Sequence, residues 1–161
     1  MFKYIKYFTP SFFTIMIILF YLQGLFYPTV CLLIYSLVLI IGDLFIKDMK
    51  LQKFSYPKIL DLSIYINLPI LFILVIFVVS IFCDSLPIWY INGFQIILNI
   101  DFIQLKESFN WIDKVSIIMQ TAFSIGSLGT VAAHELIHRK KDKFDMFIGN
   151  WLLSFSWDCN F

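Results

Sequence analysis

From Ser11 to Gly42 the chain carries no charged side chain, and that one run decides what it can fold into. As a single helix it would reach about 48 Å at ~1.5 Å per residue, well past a hydrocarbon core of ~30 Å, so the run must turn. Gly24 and Pro28 mark the place, because proline removes a backbone donor and both residues favour a break. Two helices are predicted, near residues 7–25 and 28–46. Composition says what surrounds them. Hydrophobic residues make up 60% of the 161 and charged residues only 14%, with mean hydropathy +0.86. A soluble domain carries about 25% charged residues, and one this small has too little interior to hide such an apolar excess. Lipid is the matching solvent. Lys3 and Lys6 precede the first apolar run as in a signal peptide, but no small-residue cleavage site follows, so the segment reads as an uncleaved anchor.

A third crossing is predicted near residues 62–82, with Pro69 as a kink, and a fourth near 115–137. The fourth contains Gly126 and Gly129, small residues that let neighbouring helices approach. Between them, residues 83–114 mix apolar and acidic side chains with Pro87, Asn92 and Gly93 and read as a loop, with an interfacial piece around Phe94–Leu105. Near the end, Phe144, Phe147, Ile148, Trp151, Leu152 and Phe155 form a stripe at helical spacing. A helix near residues 144–158 is expected to lie in the membrane interface, with Trp151 and Trp157 as anchors; a fifth crossing is the alternative. The expected fold is all-α: an integral membrane helical bundle of about four transmembrane helices plus a C-terminal interfacial amphipathic helix. There is no internal repeat, and residues 1–161 read as a single partial membrane domain.

Basic residues orient that bundle. With four crossings, one side holds Lys3, Lys6, Lys47, Lys50, Lys53, Lys58, Arg139, Lys140, Lys141 and Lys143, ten of the twelve, and the other side Lys106 and Lys114. The positive-inside rule makes the first side, with the N-terminus, cytoplasmic. A net charge of +1, with basic residues in short clusters and not in a stripe, excludes nucleic acid as a partner. Cys31, Cys83 and Cys159 stand far apart and show neither metal spacing nor a disulfide framework.

Both histidines of the chain fall in His134-Glu135-Leu136-Ile137-His138. Positions i and i+4 share a helix face with Cβ atoms roughly 5–6 Å apart, close enough to hold one metal ion. Neutral imidazole is the commonest protein metal ligand, and an ionisable cluster at a membrane-helix end is a functional candidate because burying it is costly. The plainer alternative is a polar helix end, where histidine also complements the helix dipole. The pattern is shared by the H-E-x-x-H of zinc peptidases, in which the glutamate activates water, and by the first histidine box of membrane di-iron oxygenases and desaturases. Those five residues alone do not separate the two.

The flanks add a resemblance. Gly129-Thr130-Val131-Ala132-Ala133-His134-Glu135-Leu136-Ile137-His138-Arg139-Lys140-Lys141, followed by Phe144-Asp145, resembles the first histidine box of alkane 1-monooxygenases. Gly42-Asp43-Leu44-Phe45-Ile46-Lys47-Asp48 is similar to the family's acidic segment at the end of its second membrane helix, though no role is carried onto those aspartates. The resemblance implies a multi-pass enzyme of a bacterial inner membrane. Such an enzyme hydroxylates an alkane or fatty acyl chain with dioxygen, two non-haem irons and electrons from a rubredoxin- or ferredoxin-like donor. It makes His134 and His138 iron ligands and gives Glu135 the role of orienting an imidazole. Family members carry further histidine boxes, and the next is expected just past Phe161. The 161 residues are therefore expected to be an N-terminal portion with an incomplete iron site, inactive alone. Two other classes stay open: an intramembrane zinc protease using Glu135 as general base, and a non-enzymatic membrane remnant or assembly partner.

Overall fold

Glycine and proline punctuate the long apolar run where the sequence places its turn. The computed structural model describes residues 2–45, 56–139 and 142–156, and every regular element among them is helical. A short α1 (Phe2–Ile5) and a 3-10 turn (Lys6–Phe8) lead into α2 (Thr9–Tyr21). Gly24 then takes φ +70° and Leu25 φ 50°, and α3 (Tyr27–Phe45) begins two residues later. The left-handed region costs an L-residue roughly 1–2 kcal/mol and glycine almost nothing. A side chain at Gly24 would also meet Ser108 Oγ at 2.6 Å, so the position needs glycine on both counts. Leu25 is held by its amide, which donates to Ser108 Oγ at 3.0 Å.

Next come α4 (Pro57–Tyr65) and α5 (Asn67–Phe82), separated by Ile66 alone. The interruption precedes Pro69 by three residues, where a proline ring crowds the preceding turn and leaves a carbonyl without its donor. The regular α-helix is therefore interrupted one turn before Pro69. α8 (Trp111–Ser124), a π-helical turn (Ile125–Thr130) and α9 (Val131–Ile137) follow one another without a break. Lys58–Phe82 and Trp111–Ile137 are each long and apolar enough to cross a membrane. The other two predicted crossings correspond to shorter apolar helices, Lys6–Tyr21 and Tyr27–Gly42.

Residues 83–114 differ from the loop expected of them, for they hold α6 (Ile88–Leu98) and α7 (Phe102–Ser108). Local chemistry explains both. Pro87 is the N-cap of α6 and Asn99, at φ 54°, ends it in the left-handed conformation. The Asp101 carboxylate caps α7, accepting from the amides of Ile103 at 2.9 Å and Gln104 at 3.2 Å. Asn110 and Asp113 then exchange side-chain-to-amide bonds of 2.9 and 3.2 Å, a reciprocal cap that opens α8.

α10 (Lys143–Ser154) is capped by Asp142, whose carboxylate accepts from the Phe144 amide at 2.9 Å. Its buried face is Asp145, Ile148, Gly149, Leu152 and Leu153, whereas Phe144, Phe147 and Trp151 of the predicted stripe are exposed. The helix packs on α9, and only the neighbouring stripe, which contains Gly149, lets the two backbones come that close. Trp157 and the predicted end at 158 lie outside the described residues.

The chain divides into two compact units, Met1–Met16 with Tyr56–Phe77 and Thr121–Phe161, and Ile17–Ser55 with Val78–Gln120. In the first, Leu71, Leu74, Leu128, Ala133, Leu136 and Leu152 are buried, and Asn67 ties the packing together. It accepts from the Ser11 hydroxyl at 2.7 Å and donates to the Leu128 carbonyl at 3.3 Å. In the second, the Tyr21 hydroxyl donates to Ile117 O at 3.3 Å, Thr29 to Asp113 at 2.5 Å, and the Gln120 amide to Pro28 O at 2.9 Å.

Candidate functional site

The histidine box lies on α9, directly after the π turn. There the Val131 amide bonds to Gly126 O, five residues back, a wide turn that shifts the register of everything after it. α9 buries Ala132, Ala133 and Leu136, so His134, Glu135 and His138 stand on the opposite, exposed side. The two imidazoles face each other with Nε2 atoms 3.1 Å apart, ring centroids 4.5 Å apart and planes at 82°.

That spacing suits an N–H···N hydrogen bond, and it equally suits a shared ion. With metal–nitrogen bonds of about 2.0–2.1 Å, a 3.1 Å separation subtends roughly 95–100° at the metal. The angle falls between octahedral and tetrahedral values, so the pair fits two adjacent positions on one ion. Among the described residues, no group of three or more His, Cys, Asp or Glu side chains is placed to hold a metal. The pair is thus a two-ligand portion of any such site.

The Glu135 carboxylate sits on Arg139, with Oε1 3.3 Å from Nη2 one turn along. Arg139 is a hub. Its Nη1 reaches Asp61 Oδ1 at 2.5 Å and Asp145 Oδ2 at 3.6 Å, and the Tyr65 hydroxyl donates to the other Asp145 oxygen. The Asp61 hydrogen bond, opposed by burial and reinforced by Glu135 and by the charges of Asp61 and Asp145, pushes the guanidinium above its ordinary value. A permanent cation therefore joins the end of α9 to α4 and α10. Sequence reasoning missed Asp61 and Tyr65. The available signal was Asp61 itself, an acid in a mostly apolar helix whose other charge, Lys58, sits at its start; such an acid by default has a partner or a function.

Beside His134 lies a cavity of about 470 Å³ lined by Tyr7, Leu60, Ser63, Ile64, Val131, Ala132, Glu135 and Arg139. Its size falls within the ~300–1,000 Å³ of small-molecule sites, and four of these residues give it an apolar wall. Cys31 is buried and Cys83 half-buried, both as free thiols. Lys47, Lys50, Lys53, Lys140, Lys141, Asp48 and Cys159 lie outside the described residues, as does the side chain of Asp43. No protein-family model, curated protein or solved structure matches this chain.

Proposed function

We propose that the chain carries the first metal-binding box of a membrane non-haem di-iron monooxygenase of the alkane 1-monooxygenase type, acting on an alkane or fatty acyl chain. The observation that supports this is the His134–His138 pair, its Nε2 atoms converging at 3.1 Å beside a mostly apolar cavity. In this reading the two imidazoles hold one iron, and the remaining ligands of the two irons come from outside the described residues. Iron, when bound, supplies the activation of dioxygen for hydroxylating an unactivated carbon. The chain's own residues do the rest. Leu60, Ile64, Val131 and Ala132 receive an apolar chain delivered from the membrane. Arg139, tied to Asp61 and Asp145, fixes the end of α9 so that the imidazoles stay aligned.

Four crossings, α2, α3, Lys58–Phe82 and Trp111–Ile137, belong to the same reading, with the N-terminus and the box on the cytoplasmic side. α10 rests in the interface there, turning Phe144, Phe147 and Trp151 to lipid. A water-soluble rubredoxin- or ferredoxin-like donor has access to that side. Glu135 is engaged by Arg139, which weighs against a zinc peptidase needing it as general base.

The test is metal analysis of protein purified from membranes after expression of its whole source reading frame. Iron is expected in the wild type and lost in His134→Ala and in His138→Ala, with membrane retention unchanged in both. Full iron content in both variants removes the ligand assignment. Stoichiometric zinc in place of iron transfers the box to the peptidase class, and a metal-free wild type leaves a non-enzymatic membrane protein.

A further inference from the structure

α6 is the one described helix of more than two turns that has neither a charged side chain nor a buried residue. Ile88, Trp89, Ile96 and Ile97 are 76%, 74%, 82% and 80% exposed, which no aqueous surface favours. At 100° per residue these four spread over about half the helix circumference, more than one flat protein contact covers. The helix is nevertheless fixed in place, since Tyr90 and Phe94 pack on Phe102 of α7 with ring centroids 5.6 and 4.9 Å away. Gly93 lies between Trp89 and Ile97 at four-residue spacing and leaves a notch, part of an open apolar groove of about 360 Å³. A Cβ there would meet nothing within 4 Å.

We infer that α6 lies in the bilayer's outer boundary as an embedded interfacial helix, with lipid acyl chains seated along the Trp89–Gly93–Ile97 groove. The inference rests on the reading that Lys58–Phe82 and Trp111–Ile137 cross the membrane, and it is independent of the metal site. If both cross, Phe82 and Trp111 emerge on the same face, and the chain between them is tethered to that face at each end. Eleven residues reach about 16 Å, half a hydrocarbon core, so α6 does not span. The charges nearest α6, Asp84 and Asp101, stand beyond its two ends and none within it, and Trp89 has the amphipathic ring that favours the boundary between headgroups and chains. A protein partner would bring polar groups to one side of the helix and leave the rest of its apolar surface in water. Lipid covers all of it.

The experiment places the full chain in phosphatidylcholine vesicles with Trp89 as the sole tryptophan, the other three replaced by Phe. Lipids brominated near the ester end are expected to cause about a twofold loss of Trp89 fluorescence, more than lipids brominated near the chain terminus, while aqueous iodide has little effect. Quenching by iodide and not by bromolipid overturns the inference. So does quenching by neither, which means that protein covers the helix. A spin label at Ile96→Cys in a cysteine-free chain gives an independent reading: collisions with oxygen exceed those with a nickel chelate if lipid surrounds it, and the reverse order overturns the placement. Extraction by alkaline carbonate separates the causes of failure. A chain stripped from the membrane defeats the crossings themselves, whereas a retained chain with iodide-quenched Trp89 defeats only the placement of α6.

Discussion

Gly149→Ala tests the packing that holds the histidine box in place. A Cβ at this position would meet Ile137 Cγ1 at 3.0 Å, Leu136 Cβ at 3.2 Å and Ala133 O at 3.4 Å. Carbon atoms rest at about 3.5–4.0 Å, so the new methyl is short of room by roughly 0.5 Å or more. Ile137 can rotate away. Leu136 Cβ moves only with the backbone, so α10 must back off from α9. A gap of that order forfeits about a quarter to a half of each dispersion contact, and the loss falls on Ile148, Leu152 and Leu153, all buried. Overpacking of this kind costs about 1–3 kcal/mol, and alanine's better helix propensity offsets up to about 1 kcal/mol of it. The net expectation is a destabilisation of about 1–2 kcal/mol, larger for Gly149→Val. Gly126→Ala is the matched control, because a Cβ at Gly126 meets nothing within 4 Å. It should be neutral or stabilising by up to about 1 kcal/mol. The assay is unfolding by dodecyl sulfate in maltoside micelles, followed by the fluorescence of Trp151 on α10, whose ring lies 5.5 Å from Phe72. If Gly149→Ala proves as stable as the wild type, the close approach of α9 and α10 is wrong, and with it the buried face of α10.

The Arg139 hub gives the next prediction. Arg139→Lys keeps the charge but loses the planar fork that reaches Asp61 and Glu135 together, and should cost about 1 kcal/mol because the guanidinium is a third exposed. Arg139→Ala should cost more, about 1–3 kcal/mol, since it leaves the buried Asp145 carboxylate without its counter-charge and with the Tyr65 hydroxyl alone, and Asp145→Asn should restore part of the loss in a double-mutant cycle. Strict additivity of the two would show that the ion pair carries no energy.

Much of this was legible because it rests on local chemistry. Gly24 and Pro28 announce the turn after α2 through what they do to the backbone, and Pro69 announces the break at Ile66 in the same way. The histidine spacing is a property of five consecutive residues. What escaped was of two kinds. Residues 83–114 read as a loop because Pro87, Asn92 and Gly93 are poor helix formers, yet Pro87 is a cap, and the Tyr90–Phe94–Phe102 cluster holds α6 despite Gly93. The second kind is long-range. Asp61 lies 78 residues before Arg139, and Tyr65 lies 80 before Asp145, separations at which no periodicity speaks. On α10 two apolar stripes lie side by side, and only the neighbour they pack against decides between them. The larger residues lost to the stripe containing Gly149.

The π turn was the least legible element and the one on which the site most depends. Along α8 the buried positions are Asp113, Ser116, Ile117, Gln120, Thr121 and Ser124. Continued at the α-helical period, that stripe would run on through residues 127–128, 131, 134–135 and 138, turning both imidazoles into the protein. From within the π turn onward the buried positions are Leu128, Gly129, Ala132, Ala133 and Leu136, and Val131 is 69% exposed. One residue's worth of extra turn has rotated the box outward by about 100°. Deleting Ser127, an exposed residue inside the turn, removes the extra residue, so the helix should run as regular α with His134 still on the exposed side. Thiol labelling in micelles reads the rotation directly. In the parent chain His134→Cys should react and Ala133→Cys, fully buried, should not. In the deletion the same order should hold, with iron loading kept and helix content by circular dichroism unchanged. A reversed order in the deletion would mean that the turn does not absorb one residue and that the register of the box is set elsewhere.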